Sequence, residues 1–174
     1  MKKPASRTAP GLLAEMAALQ GDREFIVDGG VRLGYAAFHR IVGDHARGLR
    51  ALGLRRGGRL AILMDNRHEW LTAYFAAMRL GAEVVALNTW ATGTELAYQL
   101  RHAEVDFLVA EGTVRGRPLG GVIAGIRAAD GAIACLSKVI AVDGALEGGW
   151  TDFADLPALG TDAPLVDPPE PDDI

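Results

Sequence analysis

A single cysteine, Cys135, rules out an internal disulfide and a cysteine-rich zinc site, and it fits a reducing compartment, so a cytoplasmic location is expected. Serine is almost as scarce. Only Ser6 and Ser137 occur, and Ser137 lacks the flanking glycines of a nucleophile elbow, which argues against a serine hydrolase. The four histidines, His39, His45, His68 and His102, never stand at the i, i+4 spacing of a helical zinc pair and read as surface or cap residues. No run approaches the ~20 apolar residues of a membrane span, and Pro4, Arg7, Pro10 and Glu15 interrupt any leader-like stretch. With 18 basic and 22 acidic residues the net charge is −4, which offers no general attraction for nucleic acid or anionic lipid.

What the chain does have is core material. Of 174 residues, 49% are apolar and 23% charged, enough for one ordinary domain or one subdomain of a larger enzyme. Leu12, Leu13, Met16 and Leu19 behind Pro10 predict a short helix ending at Gly21. Gly29-Gly30 between Glu24–Asp28 and Val31–Leu33 predicts a tight β-hairpin. Beyond it, short apolar runs bounded by turn residues (59–64, 83–87, 106–110, 138–142) alternate with stretches of helical period (38–52, 66–80, 92–103, and a helix around Val122–Ile126). Such βαβ alternation with strands apolar throughout indicates an α/β fold, a mostly parallel sheet with helices on both faces. The expected organisation is a tail and short helix over 1–21, an α/β unit over 22–156, and a proline-rich connector over 157–174 leading towards a further segment, with Trp150, Phe153 and Leu156 as anchors on the core.

Local chemistry is sparse. Gly43 to Gly48 has the glycine spacing of a phosphate loop, but Leu49-Arg50 follow where Lys and Ser or Thr are required, inside a helical stretch. No Gly-x-Gly-x-x-Gly follows a strand, which sets a nicotinamide dehydrogenase aside. Cys135 lies in an apolar stretch and reads as a small core residue. Ligands in open α/β sheets gather at the carboxyl ends of strands, and Asn66, Trp70, Asn88, Thr89 and Trp90 stand near such ends. Asn66, with Glu69 three residues on, also reads as a helix cap, Trp70 as a core side chain, and Trp90 equally as loop packing or pocket wall.

Six segments in register carry a resemblance. These are Gly34-Tyr35 with Phe38, Gly48-Leu49 to Leu52-Gly53, Gly57 to Ile62, Asn66-Arg67-His68-Glu69-Trp70, Leu80 to Asn88, and Thr94 to Leu100. In order and spacing they resemble the N-terminal part of the adenylate-forming synthetases of the acyl-CoA synthetase or fatty-acid–CoA ligase type, from about Asp22 to Val109 and more weakly to Ile174. The resemblance implies the first α/β subdomain of the large domain. It also implies a carboxylic acid substrate, ATP with magnesium, and CoA, in a reaction that joins the acid to AMP, releases pyrophosphate, and hands the acyl group to the CoA thiol. The family's Ser/Thr/Gly-rich phosphate loop, its adenine-binding motif and its catalytic lysine have no counterpart here, so no catalytic, cofactor-binding or metal-binding residue is carried over. The five strand-end residues stand as candidate substrate-pocket walls. The expected partner is the remainder of such an enzyme or a complementing chain, and the fragment alone is expected to be inactive. The alternative from another class is a non-catalytic α/β binding or interaction module that self-associates through an exposed apolar face.

Overall fold

A computed structural model describes residues 5–129, 135–143 and 149–161. The hairpin pairs β1 (Glu24–Asp28) with β2 (Val31–Gly34) antiparallel around Gly29, which takes a positive φ of 53°. It stands between α1 (Ala9–Gln20), capped by the Thr8 hydroxyl, and α2 (Tyr35–Ala51).

The main sheet contains β3 (Arg59–Leu63), β4 (Glu83–Ala86), β5 (Phe107–Glu111), β8 (Lys138–Val142) and β9 (Thr151–Asp152). Their order across the sheet is β4-β3-β5-β8-β9 and every pairing is parallel. The helices between them are α3 (His68–Arg79), α4 (Gly93–His102) and α5 (Gly120–Ala128). A two-residue hairpin, β6 (Thr113–Val114) with β7 (Arg117–Pro118), precedes α5. A 3₁₀ turn over Phe153–Asp155 leads into α6 (Leu156–Leu159), where Trp150, Phe153 and Leu156 are all buried.

Successive residues of β3, β5 and β8 face opposite cores, so these strands are apolar at every position except their ends. Leu60, Ile62, Val109 and Ile140 pack with α1, α2, α3 and α6. Ala61, Leu63, Leu108, Ala110 and Ala141 pack with α4 and α5 on the other face. Among the described residues no helix is long and apolar enough to cross a membrane. The connector expected over 157–174 begins later than expected, because Pro157 sits in the first turn of α6, where its missing N–H costs nothing, and the helix runs on to Leu159; residues 162–174 lie outside the described residues.

The connections fix where a ligand fits best. From β3 the chain leaves through α3 on one face, and from the adjacent β5 it leaves through α5 on the other. Where neighbouring strands send their connections to opposite faces, a crevice opens at their carboxyl ends.

Candidate functional site

At that carboxyl edge the strands end in charge: Asp65 follows β3 by two residues, Glu111 ends β5, and Asp143 follows β8. Arg67 gathers them. Its Nε and Nη2 donate to the two oxygens of Glu69 at 2.7 and 2.8 Å, its Nη1 donates to Glu111 Oε1 at 3.2 Å, and Nη2 also pairs with Asp143. Glu111 Oε2 in turn accepts the Asp65 amide at 3.1 Å. The Arg67 side chain is only 17% exposed, and its carboxylate partners hold its pKa above the ordinary arginine value, led by the hydrogen bond to Glu69. Burial pushes the Glu69 carboxyl upward, but the hydrogen bonds from Arg67 and from its own amide prevail and leave it below the ordinary value.

The α3 cap differs from the sequence expectation. Arg67, with extended backbone, is the N-cap residue, and Asn66 makes no cap hydrogen bond. The capping acceptor comes from 40 residues away: Asp28, at the end of β1, accepts the His68 amide at 2.9 Å. His68 Nδ1 lies 2.9 Å from the same oxygen. These two hydrogen bonds, the side-chain one first, hold the Asp28 carboxyl below its ordinary pKa. Asp28 thus fastens the hairpin to α3.

The five strand-end candidates divide into two groups. Asn66 and Trp70 line a cavity of about 500 Å³ between β1 and the start of α3, together with Phe25, Val27 and Leu71. Trp70 is half-buried rather than fully in the core, and stacks on Tyr74 at 5.5 Å between ring centroids. Asn88, Thr89 and Trp90 sit in the loop after β4. There the Asn88 side chain accepts the Trp90 amide at 2.9 Å, and the Thr89 hydroxyl donates to Asp65 at 3.3 Å.

Trp90 is 70% exposed. Over its ring lies Arg115, at the tip of the β6–β7 hairpin, with the guanidinium carbon 4.4 Å from the ring centroid and Nε 3.3 Å from Asp65. Arg117 braces the Trp90 loop by donating to the Ala91 carbonyl at 2.9 Å. An exposed indole with a guanidinium over its face is the kind of surface on which a flat group can stack and an anion can pair.

The profile of the AMP-binding enzyme family matches residues 13–174. The chain belongs to that family. A 2-succinylbenzoate–CoA ligase of Bacillus licheniformis is 32% identical over 102 residues, covering 59% of this chain and 21% of the relative. An acyl-CoA ligase of Aspergillus fumigatus is 37% identical over 101 residues, covering 56% of this chain and 17% of the relative. The fold is that of an anthranilate CoA ligase in complex with anthranoyl-AMP, with a TM-score of 0.83 at 20% identity over 100% of this chain and 33% of the other. A Mycobacterium tuberculosis fatty acyl CoA synthetase gives a TM-score of 0.76 at 24% identity over 93% of this chain and 29% of the other. The chain spans about a fifth of the length of the curated relatives it matches.

The sequence reading missed Asp28, Asp65, Arg67, Glu111, Asp143 and Arg115. Its usable signal was that an acidic residue closes or follows three separate apolar strands. In a parallel sheet those residues share one edge, and a cation must be drawn there to balance them.

Proposed function

We propose that this AMP-binding unit works within an acid–thiol ligase that activates a carboxylic acid with ATP and transfers it to CoA, and that its own contribution is to receive the nucleotide end of CoA. The observation that carries the reading is the Trp90–Arg115 pair at the carboxyl edge. Two nucleotide-bearing ligands belong to the chemistry the family resemblance implies. The phosphate loop, adenine motif and catalytic lysine that serve ATP have no counterpart in these residues, so no residue here is assigned to ATP or its magnesium. CoA carries a flat base and phosphates, and the residues fit it: Trp90 offers a ring face, Arg115 a guanidinium over that ring, and Arg117 holds the loop in place through the Ala91 and Thr89 carbonyls. CoA supplies the thiol that captures the activated acyl group. In this reading Trp90, Arg115 and Arg117 bind and orient that ligand.

Adenylation is not expected of these residues alone. The purified chain should give no ATP–pyrophosphate exchange above a buffer control, whichever acid is added. Binding is tested by fluorescence, since Trp90 is far more exposed than Trp150 (8%) and Trp70 is half-buried. CoA should quench the emission saturably, and Trp90→Leu should abolish the quench. A quench that survives Trp90→Leu would remove the assignment.

A further inference from the structure

The cluster at the start of α3 contains an electron-rich point that its hydrogen bonds do not exhaust. His68 Nδ1 lies 2.9 Å from Asp28 Oδ2 and 3.1 Å from Glu69 Oε2. One donor atom from each of the three residues lies within 4.8 Å of the others. An imidazole nitrogen carries at most one hydrogen, so it cannot serve two carboxylates fully. The nearby guanidinium does not supply the missing positive charge, because Arg67 is shared among Glu69, Glu111 and Asp143. Counting Asp28, four carboxylates face one arginine.

We propose that Asp28 Oδ2, His68 Nδ1 and Glu69 Oε2 form a binding site for a first-row divalent cation of the zinc type. Nitrogen and oxygen ligands lie about 2.0–2.2 Å from such an ion, which places adjacent ligand atoms roughly 3 Å apart, the spacing already present on both sides of His68. One imidazole and two carboxylates, without sulfur, select a first-row metal over magnesium or calcium, which favour all-oxygen sets. The outer contacts are in place. Arg67 Nε donates to Glu69 Oε2 at 2.7 Å and the His68 amide to Asp28 Oδ2 at 2.9 Å, as ligating carboxylates require. His68 also borders two cavities, of about 500 and 260 Å³, so the remaining coordination positions open on space for water or a ligand atom. The positive end of α3 opposes a cation, but as a fraction of a charge against two full carboxylates.

The test is calorimetry with Zn²⁺, and visible absorption with Co²⁺, on the chelator-stripped chain. One equivalent should bind, and millimolar Mg²⁺ should not displace it. Asp28→Asn and His68→Gln should each weaken binding at least tenfold, while His102→Gln, on the exposed side of α4, should leave it unchanged. Absence of binding, equal affinity in all variants, or equal loss in His102→Gln would overturn the site. Should the cluster variants not fold, zinc protection of His68 from diethyl pyrocarbonate, read by peptide mass on the unaltered chain, decides the matter. Unprotected modification of His68 at saturating zinc overturns the site as well.

Discussion

Gly48 lies in the middle of α2, where alanine is ordinarily favoured by about 1 kcal/mol. The packing of α6 reverses that preference. A Cβ on Gly48 would stand 2.1 Å from the Leu156 carbonyl oxygen and 2.6 Å from its carbon, and a Cβ on Gly160 would likewise stand 2.5 Å from backbone atoms of Arg47 and Gly48. The atoms facing Gly48 are all backbone, which no rotamer change can move aside. To reach van der Waals contact, α6 must retreat by about 1 Å or more, and a close-packed interior does not absorb that cheaply. The retreat would lift fully buried Leu156 and nearby Phe153 from their seats. Overpacking costs about 1–3 kcal/mol, more where backbone must shift. The expected net loss for Gly48→Ala, after the helix gain, is about 2 kcal/mol, or ~4–8 °C in melting temperature for a chain of this size. The control is Gly125→Ala on the exposed side of α5, where an added Cβ meets nothing within 4 Å. It should gain ~0.5–1 kcal/mol. Urea denaturation followed by circular dichroism compares the two. If Gly48→Ala proves as stable as Gly125→Ala, the α2–α6 contact is not as tight as argued.

Two other expectations rest on the charged edge and on α2. Arg67→Ala leaves Glu69, Glu111 and Asp143 facing one another without their shared cation, and should cost about 2–3 kcal/mol in urea denaturation, with part of the loss recovered at high salt. His45 Nδ1 donates to the Ile41 carbonyl at 2.8 Å and the ring packs on Phe153, and burial lowers its pKa. The unfolded chain therefore takes up the proton first, so stability should fall as pH drops below about 6.5. His45→Gln should flatten that slope, and an unchanged slope would move the effect to other groups such as His39, which burial also lowers.

Much of the fold was legible because the sheet is covered on both faces. Runs such as Leu60–Leu63 and Phe107–Ala110 are apolar at every position only when each alternate side chain has a core to enter. The Thr92–Glu95 capping box was legible too, since both its hydrogen bonds are local. The α3 cap was not. Its acceptor, Asp28, lies 40 residues upstream, and nothing near Asn66 announces it. The β6–β7 hairpin and β9 are two residues per strand, too short to show any period. Trp90 could be placed at a strand end from sequence, yet the guanidinium over its ring comes from Arg115 in a different loop, which no local pattern announces.

The proposed role of the carboxyl edge is to take the nucleotide end of CoA. Calorimetric titration of the chain with CoA and, separately, with pantetheine tests it most directly, using Trp90→Leu as the companion. Stacking on an aromatic ring contributes about 1–3 kcal/mol per base, so CoA should bind, Trp90→Leu should weaken it about tenfold, and pantetheine should show no heat. Equal binding of pantetheine, or CoA binding indifferent to the loss of Trp90, would contradict the account.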